Sequence, residues 1–558
     1  MQPSNLCLHR FCYLVLLAWG AVLCPRIARA FEPVVAVNDD RKDPIKLVMR
    51  QPWYRNTVYQ SMPISTVKLE LFPSVHIKPS DMLGCTVRVR VLDAAGSPVA
   101  ESEQTNVPLS KFVRAEVSIA TLPAGQYVVE AQFIDVVGKP IHDTRNNPCR
   151  NQTSLTIAPP MPHEVTFDQR GVCRIGGKPF FPITMYHYDP GILGLVNDFR
   201  RDHGLEPFTL RQFYEDGRKM GINAVHDGVD GATEAGITTF LERCQVMHET
   251  GMRTLAVVDP RDFQPGTFPR VVGNPGLLGW YTNDEPGLQV DSLDELPARL
   301  GPRHRALLDL DPHHPQVMAD NTVSALSIDA DFADVVMPDL YPQRGGDTRV
   351  LGRAVRELKR RSNGKAIVWP VIQAFQLSGY GTRPNGEVYH YARLTHEELR
   401  VLAFDVIACG ATGISYYALQ TSEGPQLLAD GTSRPFYLLH DFPDQREAVT
   451  QTNQQLQRLI PALLEGEDVL ASLQPTEGDI ADCDAHVRAI QHQGTCYVLV
   501  TNPGRQTTSL SFGVLGLWNE TGRDLYSDAT VSLKRGHGTL SLPPYAVHVF
   551  AFPSPDAP

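Results

Sequence analysis

Two adjacent acids, Asp284 and Glu285, end an apolar and aromatic run and are followed at once by a proline. The run predicts a short buried strand, and Pro286 forces the chain out of the sheet because it has no backbone N–H to donate. Partial burial beside Trp280 and the charge of Asp284 should both raise the pKa of Glu285. We therefore expect Glu285 to be a proton donor. A simpler alternative makes Asp284 a helix cap and Glu285 a solvated acid of the first turn.

Polar and aromatic residues also end the other predicted strands of this region. They are His187, His226, Asp259, the pair Asp320 and Asn321, Asp339 with Tyr341, Gln373, and Tyr416. If the strands are parallel and form a barrel, these ends converge at one mouth. Aromatic faces stack on the C–H side of a sugar ring, while carboxylates and amides bind its hydroxyls. The set therefore predicts a carbohydrate-binding mouth, with Trp280, Tyr341, Gln373 and Asp284 among its binding residues.

Residues 161–464 alternate between strand and helix patterns. Thr209 and Thr395 each begin a capping box, at Thr209-x-x-Gln212 and Thr395-x-x-Glu398, and glycines such as Gly221 and Gly410 end the helices. Strands are expected near 181–186, 222–226, 254–259, 277–281, 316–320, 334–339, 366–373 and 413–418. Eight strands with intervening helices predict an α/β fold, a (β/α)8 TIM barrel. A doubly wound sheet is disfavoured because no glycine-rich phosphate loop follows the first strand.

The flanking regions have the alternating pattern and turn spacing of β-sandwiches, over 31–160 and 465–558. Residues 1–30 resemble a secretory signal, with Arg10, an apolar run, and Ala28-Arg29-Ala30 as a cleavage site. We therefore expect a secreted or periplasmic protein. No later stretch is long enough for a membrane span.

The charge balance disfavours nucleic acid as a partner. The formal net charge is −11, and removal of three arginines with the signal would give −11 − 3 = −14. Seven cysteines would remain, and Cys85 with Cys149 and Cys483 with Cys496 are the plausible disulfides for an exported protein. No cysteine pair has zinc-site spacing, and we expect no cofactor.

The motif Gly-Trp-Tyr-Thr-Asn-Asp-Glu-Pro, residues 279–286, resembles the fourth-strand Asn-Glu-Pro motif of the clan of TIM-barrel retaining glycoside hydrolases that includes β-galactosidases and many cellulases. The resemblance implies that Glu285 is the general acid/base for cleavage of a carbohydrate. Two positions depart from the clan. The asparagine that binds the sugar 2-hydroxyl is Asp284 here, and the nucleophilic glutamate of the seventh strand is replaced by Gln373.

Several alternatives replace the missing nucleophile. Asp339 could act as base or nucleophile and is favoured. A substrate acetamido group could act instead, oriented by Asp284, or Glu387 could enter from the loop 378–391. Two other functions remain open: a non-catalytic carbohydrate-binding relic, and a metal-dependent barrel hydrolase that uses His187, His226 and Asp259.

Overall fold

The structure, a computed structural model, describes residues 43–62, 64–105, 112–231, 233–257, 268–342, 347–362, 364–382, 388–421, 426–427, 433–434, 437–476 and 484–553. None of the helices in these ranges is both long and apolar enough to cross a membrane.

The described part of the amino-terminal region contains eight strands. They are β1 Ile45–Gln51, β2 Thr57–Val58, β3 Thr66–Pro73, β4 Thr86–Leu92, β5 Pro98–Gln104, β6 Val113–Ser118, β7 Gly125–Ile134 and β8 Arg150–Ile157, with a 3-10 turn at Pro79–Met82. They form two sheets, β1-β3-β6 and β2-β8-β7-β4-β5. Side chains alternate between buried and exposed along β6, and the buried faces of both sheets share one core.

The expected disulfide between Cys85 and Cys149 is not formed, and both residues are buried free thiols. Cys85 precedes β4 and Cys149 precedes β8, and β7 lies between these two strands. Two strand spacings are about 10 Å, which is beyond the Cα separation that a disulfide can bridge. Cys483 lies outside the described residues.

The middle of the chain alternates between strands and helices. A small sheet, β9 Val165–Phe167, β10 Cys173–Ile175 and β11 Lys178–Phe180, precedes the main strands. The strands that follow are β12 Ile183–Met185, β13 Ala224–Gly228, β14 Arg253–Val257, β15 Leu277–Asp284, β16 Gln316–Asp320, β17 Val335–Pro338, β18 Ile367–Val368, β19 Val371–Gln373, β20 Leu377–Thr382, β21 Val388–Tyr391, β22 Ile414–Tyr417, β23 Gln420–Thr421, β24 Gln426–Leu427, β25 Ser433–Arg434 and β26 Tyr437–Leu438.

Nine α-helices are described. They are α1 Pro190–Asp202, α2 Leu210–Lys219, α3 Glu234–Glu249, α4 Phe268–Val272, α5 Leu296–Leu310, α6 Val323–Asp329, α7 Val350–Arg361, α8 His396–Ala408 and α9 Pro443–Glu465, with 3-10 turns at Pro286–Gln289, Leu293–Glu295 and Leu439–Asp441. Both predicted capping boxes are present, at the start of α2 and of α8. Gly221 and Gly410 have positive φ where α2 and α8 end, as expected of glycines that terminate helices.

Nine of these strands form one curled parallel sheet, in the order β18-β17-β16-β15-β14-β13-β12-β22-β19. They coincide with the eight predicted strand regions, because β18 and β19 are two pieces of the seventh region. Trp369 and Pro370 separate these pieces, and Pro370 has no N–H for the sheet. Since β18 pairs with β17 and β19 pairs with β22, both ends of the sheet lie in one short segment.

The carboxyl-terminal region returns to β structure. Its strands are β27 Glu467–Val469, β28 Ala471–Pro475, β29 His486–His492, β30 Thr495–Asn502, β31 Thr508–Val514, β32 Thr521–Asp524, β33 Thr530–Ser532, β34 His537–Leu542 and β35 Ala546–Pro553. They form the sheets β27-β29-β30-β35-β32-β33 and β28-β31-β34 around a common core. Leu499 and Val549 of the larger sheet pack into the same apolar cluster as α8 and α9, so this region is joined to the helices of the curled sheet.

Candidate active site

Two carboxyl groups from different strands meet where the curled sheet ends. Glu285 follows β15 and Asp339 follows β17, and their side chains are in hydrogen-bonding contact. Two further contacts hold Glu285: its backbone N–H donates to Ala319 O (2.9 Å), and its Oε1 accepts from Asn321 Nδ2 (3.0 Å). The strand ends thus bring together the two residues that the sequence suggested as an acid and a base.

The electrostatics of this pair favour one shared proton. Burial, followed by the charge of Asp284, raises the pKa of Glu285. Burial, followed by the charge of Glu285, raises the pKa of Asp339 well above its ordinary value. The charge of Glu285 disfavours ionisation of Asp339, whereas the hydrogen bond from Asp339 favours the ionised form of Glu285, so the pair titrates as a unit. Asp339 is the more deeply buried partner, at 8% exposed, and therefore holds that proton in this arrangement.

The turn after Glu285 is fixed by a buried acid at the end of the neighbouring strand. Asp320 accepts hydrogen bonds from the backbone N–H groups of Gly287 and Asn321, both at 2.7 Å. A Cβ on Gly287 would lie 2.7 Å from Asp320 Oδ2, so the close approach requires glycine. Glu285 itself has φ 43° and ψ 54°, a left-handed conformation that costs on the order of 1 kcal/mol for a residue with a side chain. Asp320 thus acts as a positioning residue for Glu285.

Tyrosines form one wall of the mouth and orient Asp284. Tyr186 OH donates to Tyr281 OH (3.0 Å), and Tyr281 OH donates to Asp284 Oδ1 (2.5 Å). The ring of His226 stacks on Tyr186 with centroids 3.7 Å apart. Asp284, at the exposed end of β15, is therefore held by a hydrogen-bonded chain that starts inside the curled sheet.

Further aromatic rings continue this wall. Tyr417 contacts Tyr186 at 5.4 Å, Phe375 at 5.4 Å and Tyr341 at 6.0 Å between ring centroids. Tyr341 and Phe375 also meet edge to face at 5.1 Å. The mouth therefore combines carboxylates with apolar ring surface, which is the combination expected for a sugar.

The two histidines lie beside this wall. Burial, followed by the neighbouring His187, lowers the pKa of His226 to about 3, so His226 is neutral at physiological pH. His187 has φ 57° and its Nδ1 contacts Gln420 O. In the described part of the chain, no three potential metal ligands converge at the mouth. Asp259, the third residue of the metal alternative, lies outside the described residues.

Two aromatic residues expected at the mouth point away from it. Trp280 is fully buried among residues of α3 and α5, and its Nε1 donates to Asp311 Oδ2 (2.7 Å). Tyr416 is likewise buried toward the helices, where its OH donates to Asn453 Oδ1 (2.8 Å). Successive side chains of a strand point to opposite faces, so the next residue in each case, Tyr281 or Tyr417, faces the mouth instead.

Gln373 lies at the end of β19 but is engaged with the backbone. Its Nε2 donates to Phe375 O (3.0 Å) and to Ala392 O (2.8 Å), and it is 1% exposed. A neutral amide used in this way supports the loop and cannot serve as a nucleophile. Glu387, the alternative from that loop, lies outside the described residues.

Sequence reasoning did not single out Tyr186, Tyr281 or Phe375, and it named Glu285 as the acid without considering that Asp339 could hold a proton. The signal for Tyr281 was present, because it is adjacent to Trp280 in the same strand and only one of the two can face the mouth. The burial that favours Asp339 as the proton holder depends on the packed structure and leaves no signal in the sequence.

Comparison by sequence finds no matching family model and no matching curated protein. Among solved structures, the chain is similar to one described as a glycoside hydrolase, at 12% identity and a TM-score of 0.47, covering 71% of this chain and 99% of that one. It is also similar to an Anoxybacillus α-amylase (9%, TM-score 0.41, 68% and 99% covered) and to a Parabacteroides merdae β-glucuronidase (10%, 0.31, 92% and 75%). At these values, function has to be argued from the site.

Proposed function

We propose that this protein is a glycoside hydrolase that cleaves an O-glycosidic bond of a carbohydrate at the mouth of a closed (β/α)8 barrel flanked by two β-sandwiches. The observation that carries the proposal is the contact between Glu285 and Asp339, two acids with raised pKa values that share one proton beside a wall of tyrosines. Glycosidic cleavage needs one protonated acid and one carboxylate, and this pair supplies both.

The reaction assigns a separate role to each acid. Glu285 donates the proton to the leaving oxygen as the glycosidic bond breaks. Asp339, then ionised, either attacks the anomeric carbon to form an ester that water hydrolyses, or takes a proton from the water that attacks this carbon. The proton reaches Glu285 through the hydrogen bond that the pair already forms. Substrate must separate the two groups, because their contact is closer than the roughly 5–5.5 Å of retaining enzymes or the 6.5–9.5 Å of inverting ones.

The remaining residues of the mouth bind the sugar. Tyr341 and Tyr417 offer ring faces, while Asp284, held by Tyr281, accepts hydrogen bonds from sugar hydroxyls. Asn321 keeps Glu285 directed toward the leaving group. None of these steps requires a cofactor. Residues 1–30 would export the protein, which fits a carbohydrate substrate outside the cytoplasm.

The proposal is tested with a panel of aryl glycosides and polysaccharides. Turnover of at least one substrate is expected, and Glu285→Gln should lower kcat/KM for a poorly activated leaving group by about 10²–10⁴-fold. Glu215→Gln is the matched control, since Glu215 is exposed on α2 and makes the same change of charge far from the mouth. Equal activity of Glu285→Gln and the control would refute the role of Glu285.

A second candidate function is carbohydrate binding without turnover, which the neutral Gln373 on the seventh strand favours. In that case calorimetry would detect binding of a sugar that the wild type does not hydrolyse. Binding should then weaken in a Tyr417→Ala variant, whereas Glu285→Gln would have little effect.

A further inference from the structure

Three buried side chains of different chemistry meet on the outer side of α8, where it packs on the carboxyl-terminal sheets. They are Asp405, Cys409 and His486. His486 Nδ1 lies 2.6 Å from Asp405 Oδ1 and 3.2 Å from Cys409 Sγ, and all three ligand atoms are within 4.8 Å of one another. None of the residues that we assign to the mouth belongs to this cluster.

Local structure explains why these residues meet. Asp405 lies on α8 and Cys409 caps its end, four residues later, so both side chains lie on one face of the helix. His486 begins β29, which packs against α8. Gly352 of α7 completes the enclosure, because a Cβ there would lie only 2.0 Å from Asp405 Oδ2. The spacing Asp405-x-x-x-Cys409 is a possible ligand pair that a search for cysteine pairs alone would miss.

The cluster leaves polar atoms unpaired. Asp405 is fully buried, and its Oδ2 has no hydrogen-bond donor among the described residues, whereas Thr501 Oγ1 donates to its Oδ1 (2.5 Å). His486 Nε2 is also buried and without a partner in the described part of the chain. A buried acceptor without a donor is costly, and a bound cation would satisfy the carboxylate.

We propose that Asp405, Cys409 and His486 form a binding site for a borderline-soft divalent cation of the Zn²⁺ type. One oxygen, one sulfur and one imidazole nitrogen are the ligand types that this ion takes in tetrahedral sites. Of the three residues, Cys409 also lines a cleft of about 590 Å³, together with Lys359 and Arg488 among others. Bound by the three residues, the ion cross-links α8 to the carboxyl-terminal sheets.

Binding of the ion requires a longer distance between the ligand atoms of Asp405 and His486. Tetrahedral coordination at the usual bond lengths places the oxygen and nitrogen ligands about 3.3 Å apart. The present distance of 2.6 Å is that of a hydrogen bond between His486 and Asp405. The competing interpretation is therefore a hydrogen-bonded triad that never takes up metal, and the experiment has to separate the two.

The test uses the full chain, equilibrated with Zn²⁺ or Co²⁺ and freed of excess metal. We expect about one zinc per chain, a thiolate-to-cobalt charge-transfer band in the Co²⁺ form, and a higher Tm with Zn²⁺ than with chelator. Cys409→Ser and His486→Gln should each lose the band and the zinc-dependent rise in Tm. Cys496→Ser, which removes a buried thiol from the core of the carboxyl-terminal sheets, should retain both.

Two results would contradict the proposal of a cation site. One is a wild type that keeps no zinc and whose Tm does not respond to metal; the other is a cobalt band that survives in Cys409→Ser. If Cys409→Ser does not fold, His486→Gln decides by the same two readouts. Neither readout depends on glycoside turnover, so failure here and failure of the proposed function are distinguishable.

Discussion

Two aspartates at opposite ends of one strand have opposite surroundings. Asp334 precedes β17, and Asp339 follows it. Arg55 binds Asp334 through Nε to Oδ1 (2.7 Å) and Nη2 to Oδ2 (2.5 Å), with both side chains buried. Asp339 instead contacts a second acid, Glu285, and its Oδ1 has no hydrogen-bond partner among the described residues.

The different partners of Asp334 and Asp339 indicate that the first contributes to stability and the second to the reaction. An acid held by a buried arginine joins the amino-terminal sheets to the curled sheet, whereas an acid beside another acid has a raised pKa and can transfer a proton. The presence of a cleft does not identify which end of β17 carries out chemistry. A cleft of about 830 Å³ lies at the amino end, but of its three acids, Asp168 and Asp334 are bound to arginines.

The largest expected effect is on turnover. Asp339→Asn removes the carboxylate that we place at the anomeric carbon, and we expect kcat to fall by about 10²–10⁴-fold. The free energy of unfolding should stay the same or rise, because the variant no longer buries two mutually repelling acids. Steady-state kinetics and urea unfolding measure both quantities. A stable variant with wild-type kcat would show that Asp339 has no part in the reaction.

At the other end of β17 the effect should fall on stability. Arg55→Met leaves Asp334 buried without its cation and should cost about 3–5 kcal/mol of unfolding free energy. The double variant Arg55→Met, Asp334→Leu should recover much of this loss, since the uncompensated charge is gone. The kcat of the folded fraction should be unchanged in both variants. If kcat of the folded Arg55→Met variant also fell, Asp334 and Asp339 would no longer differ in function.

A third aspartate, Asp329, extends the comparison, because no cation in the described part of the chain compensates its charge. Asp329 of α6 is fully buried, and its carboxyl oxygens have no hydrogen-bond partner in the described residues. Burial, followed by the charge of Asp320, raises its pKa to about 8. A raised pKa favours folding while the group is protonated. The wild type should therefore lose stability as pH rises from about 4 toward 8, by at most about 1.4 kcal/mol per unit.

Asp329→Asn should lack this contribution to the pH dependence. Urea unfolding at several pH values gives the two slopes, and the difference between them is more informative than the stability at one pH. Parallel curves for wild type and variant would mean that Asp329 does not titrate in this range.

Adjacent residues on opposite faces of β15 provide a smaller test. Tyr281→Phe breaks the hydrogen bond to Asp284 and should lower kcat/KM by about tenfold, the equivalent of one net hydrogen bond. Trp280→Phe removes one hydrogen bond to the buried Asp311 and shrinks a buried side chain, and it should cost about 1–3 kcal/mol of stability with little change in kcat/KM. If Trp280→Phe lowered kcat/KM and Tyr281→Phe lowered only the stability, Trp280 would be the residue that faces the mouth.

The smallest expected effect is a shift in the pH profile. Because the charge of Asp284 contributes to the raised pKa of Glu285, Asp284→Asn should lower that pKa. Loss of the shared proton ends activity on the alkaline side, so the alkaline limb of kcat/KM should move to lower pH. A limb that moves to higher pH would contradict the proposed coupling.

The sequence predicts the strand order of the curled sheet well, because capping boxes and glycines mark the helix ends at Thr209, Gly221, Thr395 and Gly410. It does not predict which side chains face the mouth. Parallel strands that are buried on both faces have no alternation of polar and apolar residues to show which face each side chain points to. Trp280 and Tyr281 therefore look equivalent in the sequence. The meeting of Glu285 with Asp339 follows from the convergence of strand ends. The cluster around His486 does not, since its members come together only through packing between distant segments.

Trp369 and Pro370 interrupt the seventh strand at the place where the two ends of the curled sheet come together. Pro370 contributes no amide to the sheet, so this segment has one hydrogen bond fewer to break when the sheet loosens. Amide exchange should be fastest on this side. Loosening at this segment would reach the mouth through Gln373, which ends β19.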